Sequence, residues 1–302
     1  MLALVLMNFS KVMKNSEVKA IHYGAFEKLG PTFEVRKMPV IERIAPVLNL
    51  SSFIDLQNWI EAANDFQKYG KTGNLLNLTN ENSSFESGLK ALEGDLYTCR
   101  GKRLAKIEAV SKIRESLKAI RKKSSIPPKL SLINKIEEKI THFKQDDPIN
   151  NILYSVDWCF MHGMIQQGIT LGQESIITII LEQFDEYFKG YKLKDKEKRT
   201  IISSILSMSD EDFDNLNYKT NDDSIKLISN QILTNSEFLK EIRPPYSELT
   251  ILRNKINHGG FTDDSTYKNF EKEFYQNYSS IIEWCNINGF VNYELINKSK
   301  LS

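Results

Sequence analysis

Helical spacing of apolar residues is the feature that most constrains this chain. From Ser51 onward, apolar side chains recur three and four residues apart, which is the repeat of one buried helix face. The first such run contains Phe53, Leu56, Trp59, Ile60, Ala63 and Phe66. The alternation typical of strands nearly vanishes after residue 41. The sequence therefore predicts a mainly α fold.

Prolines mark where the helices end in the middle of the chain. One long helix is expected from about residue 85 to 122. It must stop before Pro127 and Pro128, because proline lacks an amide hydrogen and clashes with the preceding turn. A further helix is expected from about residue 130 to 143.

Apolar helical patterns also fill the C-terminal half. Residues 152–190 predict one or two long helices, and the acidic stretch 209–223 predicts a surface loop with one helical turn. The next helix is expected to begin at the proline pair that starts at Pro244, since proline is tolerated in a first turn, and to stop at Gly259. One more helix is expected over residues 266–286.

Strand signals are confined to the N-terminal region. The opening residues 1–15 have a helical composition, whereas residues 17–26 suit a strand that Gly24 closes. A second, poorer strand candidate lies in residues 31–41. The chain is therefore expected to begin with a small α/β segment.

Composition bounds the size, charge and compartment of the protein. A chain of 302 residues exceeds the usual size of one domain, so two units joined by a connector are expected. The net charge of +1 gives no global argument for a nucleic-acid partner. Three widely spaced cysteines fit a reducing compartment. With neither a secretory leader nor a membrane-length apolar run, the sequence predicts a cytoplasmic protein without a membrane partner.

The charge balance shifts strongly between residues 100 and 144. This stretch holds fourteen Lys and Arg side chains against four Glu, a local excess of ten positive charges. Such a run is usually a solvated helix face. The alternative is a flank that attracts the phosphates of RNA.

The stretch ELTILRNKINHGGF, residues 248–261, concentrates the most reactive residue types near a helix end. Asn254 and His258 are four residues apart and share a face, while Arg253 and Asn257 share the neighbouring one. A guanidinium grips a phosphate through two parallel hydrogen bonds, and an imidazole moves a proton near neutral pH. Together they supply what is needed to cleave RNA without a metal. A histidine before a glycine cap is also a common stabilising device, and spacing alone does not decide between these readings.

The remaining histidines carry weaker signals. His162 has apolar neighbours and is expected to be a core or interface residue, with an RNA-cleft role as the alternative. Further candidates to line such a cleft follow it at helical spacings, namely Gln166, Gln167 and Glu174, and Asn257 is another. His22 and His142 have no partner at metal-ligand spacing, so no metal site is predicted.

Three stretches of the sequence resemble one protein family. LRNKINHGGF, residues 252–261, resembles the R-N-x3-H motif of HEPN-domain ribonucleases. IHYGAFE, residues 21–27, followed by LSSFIDLQNWIEAANDFQKYG, residues 50–70, is similar to the middle of CRISPR-associated proteins of the DxTHG group. WCFMHGMIQQGITLGQE, residues 158–174, is similar to the first long helix of their HEPN domain. These are accessory ribonucleases of type III CRISPR antiviral defence.

The resemblance implies a domain organisation. In this family a Rossmann-like CARF domain senses cyclic oligoadenylate and activates a C-terminal HEPN dimer. No DxTHG sequence occurs in the chain, so most of the sensor is expected to be missing. The resemblance thus implies a partial CARF-like α/β segment in residues 1–48, a basic helical connector in residues 49–147 and a HEPN helical bundle in residues 148–302.

The resemblance also assigns roles to residues. Arg253 would bind and polarise the scissile phosphate of single-stranded RNA, His258 would transfer protons, and Asn254 would orient the histidine or the substrate. Attack of the RNA 2′-hydroxyl would give a 2′,3′-cyclic phosphate without metal or other cofactor, and two copies would form the active homodimer or a higher oligomer. Tyr23, Gly24 and Phe26 would lie near the cyclic oligoadenylate activator.

Two other functions remain open at this point. A helical dimerisation or regulatory module would keep the association and lack catalysis. A HEPN ribonuclease of toxin type would cleave RNA without control by a cyclic nucleotide. A comparison of RNA cleavage by wild type and by Arg253 and His258 variants distinguishes a ribonuclease from the non-catalytic module. Addition of cyclic oligoadenylate distinguishes a regulated ribonuclease from the toxin type.

Overall fold

Helices dominate the computed structural model, which describes residues 18–77, 83–123, 127–259, 261 and 267–296. The predicted mainly α class is confirmed. The helices are α1 (Thr32–Val35), α2 (Ser52–Tyr69), α3 (Gly73–Asn77), α4 (Ser83–Tyr97), α5 (Gly101–Lys106), α6 (Glu108–Lys123), α7 (Pro127–Lys139), α8 (Pro148–Met161), α9 (Ile165–Gln183), α10 (Asp195–Leu206), α11 (Asp210–Asp214), α12 (Asp223–Thr234), α13 (Arg243–Asn257) and α14 (Tyr267–Ile287). Short 3-10 helices cover Phe26–Leu29, Val40–Glu42, Asp185–Phe188 and Glu237–Glu241.

The sheet in the described residues is a pair of three-residue antiparallel strands. Strand β1 (His22–Gly24) pairs with β2 (Val47–Asn49), with Tyr23 opposite Leu48. The first predicted strand therefore exists and ends at Gly24 as expected, although it is short. The second prediction, in residues 31–41, is wrong: Pro31 has a φ of −62° and leads directly into helix α1. One short antiparallel pair does not test the expected partial Rossmann-like segment, which stays a prediction. The helix expected in residues 1–15 lies outside the described residues.

The segment before helix α2 is almost entirely exposed. Between residues 18 and 58, all of which are described, Ala25 is the one fully buried side chain. Of the apolar face predicted for α2, Trp59, Ala63 and Phe66 are buried, but Phe53 is 58% and Ile60 39% exposed. The periodicity correctly located a helix; it could not show that the first turns of this helix extend past the rest of the bundle.

The single helix predicted over residues 85–122 is wrong, because the chain there forms three helices. Helices α4, α5 and α6 are separated by Cys99 and Ile107, which adopt left-handed φ values of 54° and 49°. The breaks let α6 pack against α4, where a Cβ added to Gly88 would lie 3.0 Å from the carbonyl oxygen of Ala109. The apolar repeat continues through both breaks, so it gave no signal for them.

Helices α8 and α9 form the centre of the bundle. They are joined by Gly163, which has a φ of 72°. A Cβ added at Gly168 would lie 2.5 Å from Phe160 of α8, and one added at Gly172 would lie 2.6 Å from Phe274 of α14. Two neighbouring helices therefore press on the glycine-bearing side of α9, which fixes its position in the core.

Buried polar side chains attach flanking segments to this centre. Asn151 donates from Nδ2 to the carbonyls of Ala105 (3.1 Å) and Lys144 (2.7 Å). Asp157 Oδ2 accepts from the Tyr293 hydroxyl (2.7 Å) and the Ile296 amide (3.1 Å), and burial raises the pKa of this carboxyl group. One buried apolar cluster runs from Trp59 to Leu295 and so crosses the boundary expected between residues 147 and 148. The three-part domain division stays a prediction, although α8 begins at that boundary.

Among the helices of the described ranges, we find none with both the length and the apolar character needed to cross a membrane.

Two glycine-to-alanine substitutions should change the free energy of unfolding in opposite directions and so test this packing. Gly94 is an exposed position of α4, and an added Cβ would meet nothing within 4 Å, so Gly94→Ala should raise the free energy of unfolding by about 0.5–1 kcal/mol. Gly168→Ala should lower it by about 1–3 kcal/mol, because the new methyl group clashes with the Phe160 ring. Urea unfolding measures both, and stabilisation by Gly168→Ala would contradict the close contact of α8 and α9.

Candidate active site

Helix α13 carries the Arg253 to His258 motif at its C-terminal end. The helix begins at Arg243 with prolines in its first turn, as predicted. It ends at Asn257, and His258 is its C-cap, with its amide donating to the Asn254 carbonyl (2.9 Å). Gly259 follows with a φ of 65°, so the predicted left-handed glycine cap is confirmed.

The motif residues divide between two sides of α13. Arg253 is half-buried against the bundle, whereas Asn254, Asn257 and His258 are exposed. For Arg253 and His258 this difference follows from the helical repeat, which puts them about 140° apart, whereas Asn257 is exposed as the last residue of the helix. The imidazole and the amide therefore face solvent, while the guanidinium lies at the edge between solvent and core.

Arg253 differs from two other arginines of the same bundle in its partners. Arg243 pairs with Asp210 (3.1 Å) and Arg199 pairs with Glu174 (2.6 Å). Among the described residues, no carboxylate pairs with Arg253, and its buried Nε, like that of Arg243, has no hydrogen-bond partner. An unsatisfied, partly buried guanidinium is costly to a fold unless an anion satisfies it. The arrangement is therefore suited to binding a phosphate.

Two glutamines of α9 hold α13 in place. Gln173 Nε2 donates to Thr250 Oγ1 at 2.7 Å, and Gln166 Nε2 donates more weakly to Asn257 Oδ1 at 3.4 Å. Because the earlier glutamine meets the later residue of α13, the two helices are antiparallel. Arg253 lies between these two contacts.

A hydroxyl group completes the polar contacts behind the motif. The buried Tyr246 hydroxyl lies 3.4 Å from Gln173 Nε2 and 3.1 Å from Ser203 Oγ of helix α10. Burial raises the pKa of this tyrosine, and the nearby positive charge of Arg253 opposes that rise.

Sequence reasoning missed Gln173, Tyr246 and Ser203. The spacing of Tyr246, Thr250, Arg253 and Asn257 along one helix face was the available signal, but polar residues at helical spacing usually face water.

Exposed apolar side chains flank the solvent face of the motif. Ile251 lies one turn before Asn254 and is 48% exposed, and Phe261 lies just beyond the glycine cap and is 97% exposed. Single exposed apolar residues are ordinary on a monomer, but this pair lies on either side of His258 along the chain.

His162 is half-buried at the edge of the apolar core. Its Nδ1 donates to the Trp158 carbonyl (2.7 Å), and the two rings lie 4.8 Å apart. Gly70, at the end of α2, is so close that an added Cβ would be 3.0 Å from the imidazole. Burial lowers the pKa of His162 to about 4. These contacts give it a packing role; the alternative role in an RNA cleft stays a prediction.

The other predicted cleft residues point in different directions. Gln166 and Asn257 come together at the motif, as described above. The backbone carbonyl of Gln167 is approached by Cys99 Sγ at 3.8 Å, on the side of α9 that faces α5. Their roles toward RNA are untested.

The residues expected near cyclic oligoadenylate lie together at the end of β1. The Tyr23 hydroxyl donates to Glu27 (2.8 Å), Gly24 pairs with Val47, and the exposed Phe26 ring lies near Gly24. They form an exposed surface at the strand end, and ligand binding there stays a prediction.

Much of the basic stretch serves the fold. Arg114 donates to the carbonyls of Ile140 (2.7 Å) and Phe143, Arg121 pairs with Glu137, and Lys139 lies 5.3 Å from the centre of the Trp158 ring. The remaining exposed lysines of the stretch include Lys112, Lys118 and Lys135. These exposed lysines fit a solvated helix face, and the alternative, contact with RNA, stays a prediction.

Within the described part of the chain, no group of three or more His, Cys, Asp or Glu side chains is arranged to hold a metal ion.

No protein-family model matches this chain, and no curated protein matches it either. The geometry of α13 and its neighbours must therefore carry the functional argument.

Acidification should destabilise the fold through His162. Its folded pKa of about 4 lies below the usual value near 6.5, so the unfolded chain binds the proton more readily than the folded protein. The stabilising contribution is full above pH 6.5 and is lost as the pH falls toward 4. Imidazole NMR resonances of His162 should titrate near pH 4, with exposed His22 as the comparison. Titration of His162 near pH 6.5 would contradict its burial against Trp158.

Proposed function

We propose that this protein is a metal-independent endoribonuclease of type III CRISPR antiviral defence that cleaves single-stranded RNA as a homodimer and responds to cyclic oligoadenylate. The observation that carries the proposal is the half-buried Arg253 guanidinium, which has no carboxylate partner among the described residues. It lies beside exposed Asn254 and His258 at a glycine-capped helix end. The likeness of LRNKINHGGF to the HEPN motif supports the same conclusion.

The proposed reaction is an internal transfer of the RNA phosphate. The 2′-oxygen forms a bond to phosphorus while the bond from phosphorus to the 5′-oxygen breaks. A neutral His258 accepts the 2′ proton, and a protonated His258 of the second copy donates a proton to the departing 5′-oxygen. Arg253 stabilises the negative charge that grows on the phosphate. The products are a 2′,3′-cyclic phosphate and a 5′-hydroxyl.

The position of the motif supports association of two copies. One copy directs Arg253 and His258 about 140° apart around the helix, so a second copy brings another set of groups to the same phosphate. Exposed Ile251 and Phe261 border the motif and would become buried in such a contact. A twofold contact uses the same surface of both copies, which suits a motif at an exposed helix end.

Substitution of the motif tests catalysis directly. Arg253→Ala should lower the rate of RNA cleavage about 10²–10³-fold, because a charge-stabilising group is lost. His258→Ala should lower it about 10²–10⁴-fold through lost proton transfer. The assay uses labelled single-stranded RNA in the presence of a chelator, and mass spectrometry of the products should show 2′,3′-cyclic phosphate ends.

Matched controls are Arg36→Ala and His142→Ala, which remove the same side-chain types from exposed positions elsewhere. Both should cleave as wild type does. Equal cleavage by all five proteins would remove the active site and favour a non-catalytic dimerisation module. Cleavage that is unchanged by cyclic tetra-adenylate and cyclic hexa-adenylate would favour the toxin-type alternative instead.

Removing the exposed apolar side chains of Ile251 and Phe261, which flank the motif, should weaken both dimer association and RNA cleavage. The double variant Ile251→Ser/Phe261→Ser should dissociate at protein concentrations where wild type stays dimeric, since two apolar groups leave the contact. Sedimentation and RNA cleavage across a dilution series measure the two effects together. Ile41→Ser, at a side chain 80% exposed in the N-terminal segment, is the control. A fully active monomer would contradict the requirement for a second copy.

A further inference from the structure

One arginine and one carboxylate, Arg253 and Glu174, act on the buried Tyr246 hydroxyl. The positive charge of Arg253 and the negative charge of Glu174 act on the pKa of this tyrosine in opposite directions, so both groups lie near it. A second arginine, Arg199 of helix α10, takes the carboxylate. Its Nη2 lies 2.6 Å and its Nε 3.2 Å from Glu174 Oε2.

Further hydrogen bonds hold Arg199 in this position. Its Nη1 donates to Thr178 Oγ1 (2.9 Å), and its Nη2 donates to the Glu174 carbonyl (2.8 Å). The planar guanidinium is thereby fixed along one turn of α9 by side-chain and backbone acceptors together. A guanidinium bound at several points loses less freedom per hydrogen bond than a lysine would.

The register of α9 and α13 brings Glu174 within reach of Arg253. The contacts Gln166–Asn257 and Gln173–Thr250 place Arg253 level with the part of α9 around Thr170. Glu174 follows Thr170 by four residues, which puts it on the same face about 5–6 Å further along the helix. A glutamate side chain released from Arg199 can span that separation.

We infer that Arg199 is a positioning residue that withholds Glu174 from Arg253 and so keeps the Arg253 guanidinium vacant for an anion. This inference rests on the proposed function, in which that anion is the scissile phosphate. Without Arg199, the Glu174 carboxylate would pair with Arg253 and occupy the site that the phosphate needs. The ion pair thus protects the site from an internal competitor.

A loss of RNA cleavage in one variant and its recovery in a second distinguish the positioning role of Arg199 from a purely structural role. Arg199→Ala should lower kcat/KM for RNA cleavage at least about tenfold, less than the roughly hundredfold loss from removing a charge-stabilising group outright. The double variant Arg199→Ala/Glu174→Gln should recover most of the wild-type value, because the competing charge is gone. A merely structural role of Arg199 predicts no recovery, since the double variant lacks the ion pair as well.

A second readout does not depend on activity. The Nε–Hε NMR resonance of Arg253, assigned by its absence in Arg253→Lys, should shift in Arg199→Ala and return in the double variant. Titration with inorganic phosphate should move the resonance in wild type and in the double variant, and less in Arg199→Ala.

The outcomes separate the inference from the proposed function. If wild type cleaves RNA and Arg199→Ala cleaves equally well with an unmoved Arg253 resonance, the inference is wrong and the function stands. Loss without recovery in the double variant also overturns the inference. If wild type cleaves no RNA, the proposed function fails; the inference then holds if the resonance shifts and returns, and falls if it does not.

Discussion

The antiparallel packing of α13 on α9 is the contact on which the candidate site depends. It is fixed by the short hydrogen bond from Gln173 to Thr250 and by the buried Tyr246 hydroxyl beneath it. Helix α9 is itself fixed, because Phe160 and Phe274 press on its glycines. A chain of close contacts therefore runs from the bundle centre to Arg253. The guanidinium is placed by rigid helices, and the His258 imidazole is placed by the glycine-capped end of one of them.

Arg253 lies at the edge of the bundle, where no carboxylate of the described residues pairs with its guanidinium. Buried polar groups such as Asn151 and Arg243 have partners that stabilise the fold. Arg253 differs from Arg243 in having no carboxylate partner among the described residues, although the Nε atoms of both are buried without a hydrogen bond. A half-buried guanidinium without a carboxylate partner, next to motif residues that face solvent, is the kind of local cost that proteins keep for binding.

Sequence reasoning succeeded where local chemistry decides structure. The start of α13 at prolines, its end before Gly259 and the helix that follows as α14 were all predicted, because proline and glycine act on their own backbone. It failed where distant packing decides. Cys99 and Ile107 adopt left-handed conformations because α6 must reach α4, and nothing in their neighbourhood encodes that requirement. The helix end that carries the motif was located correctly, but the pairing of Glu174 with Arg199 depends on the relative position of two helices, which no local pattern indicates.

The central claim is that the Arg253 guanidinium binds the phosphate of an RNA chain. The most direct measurement is NMR of arginine-labelled protein titrated with single-stranded RNA whose 2′-hydroxyls are replaced by fluorine, which prevents cleavage. We predict that the Arg253 Nε–Hε resonance shifts in proportion to bound RNA, since a phosphate then pairs with the guanidinium. RNA that binds while this resonance stays unchanged would contradict the account.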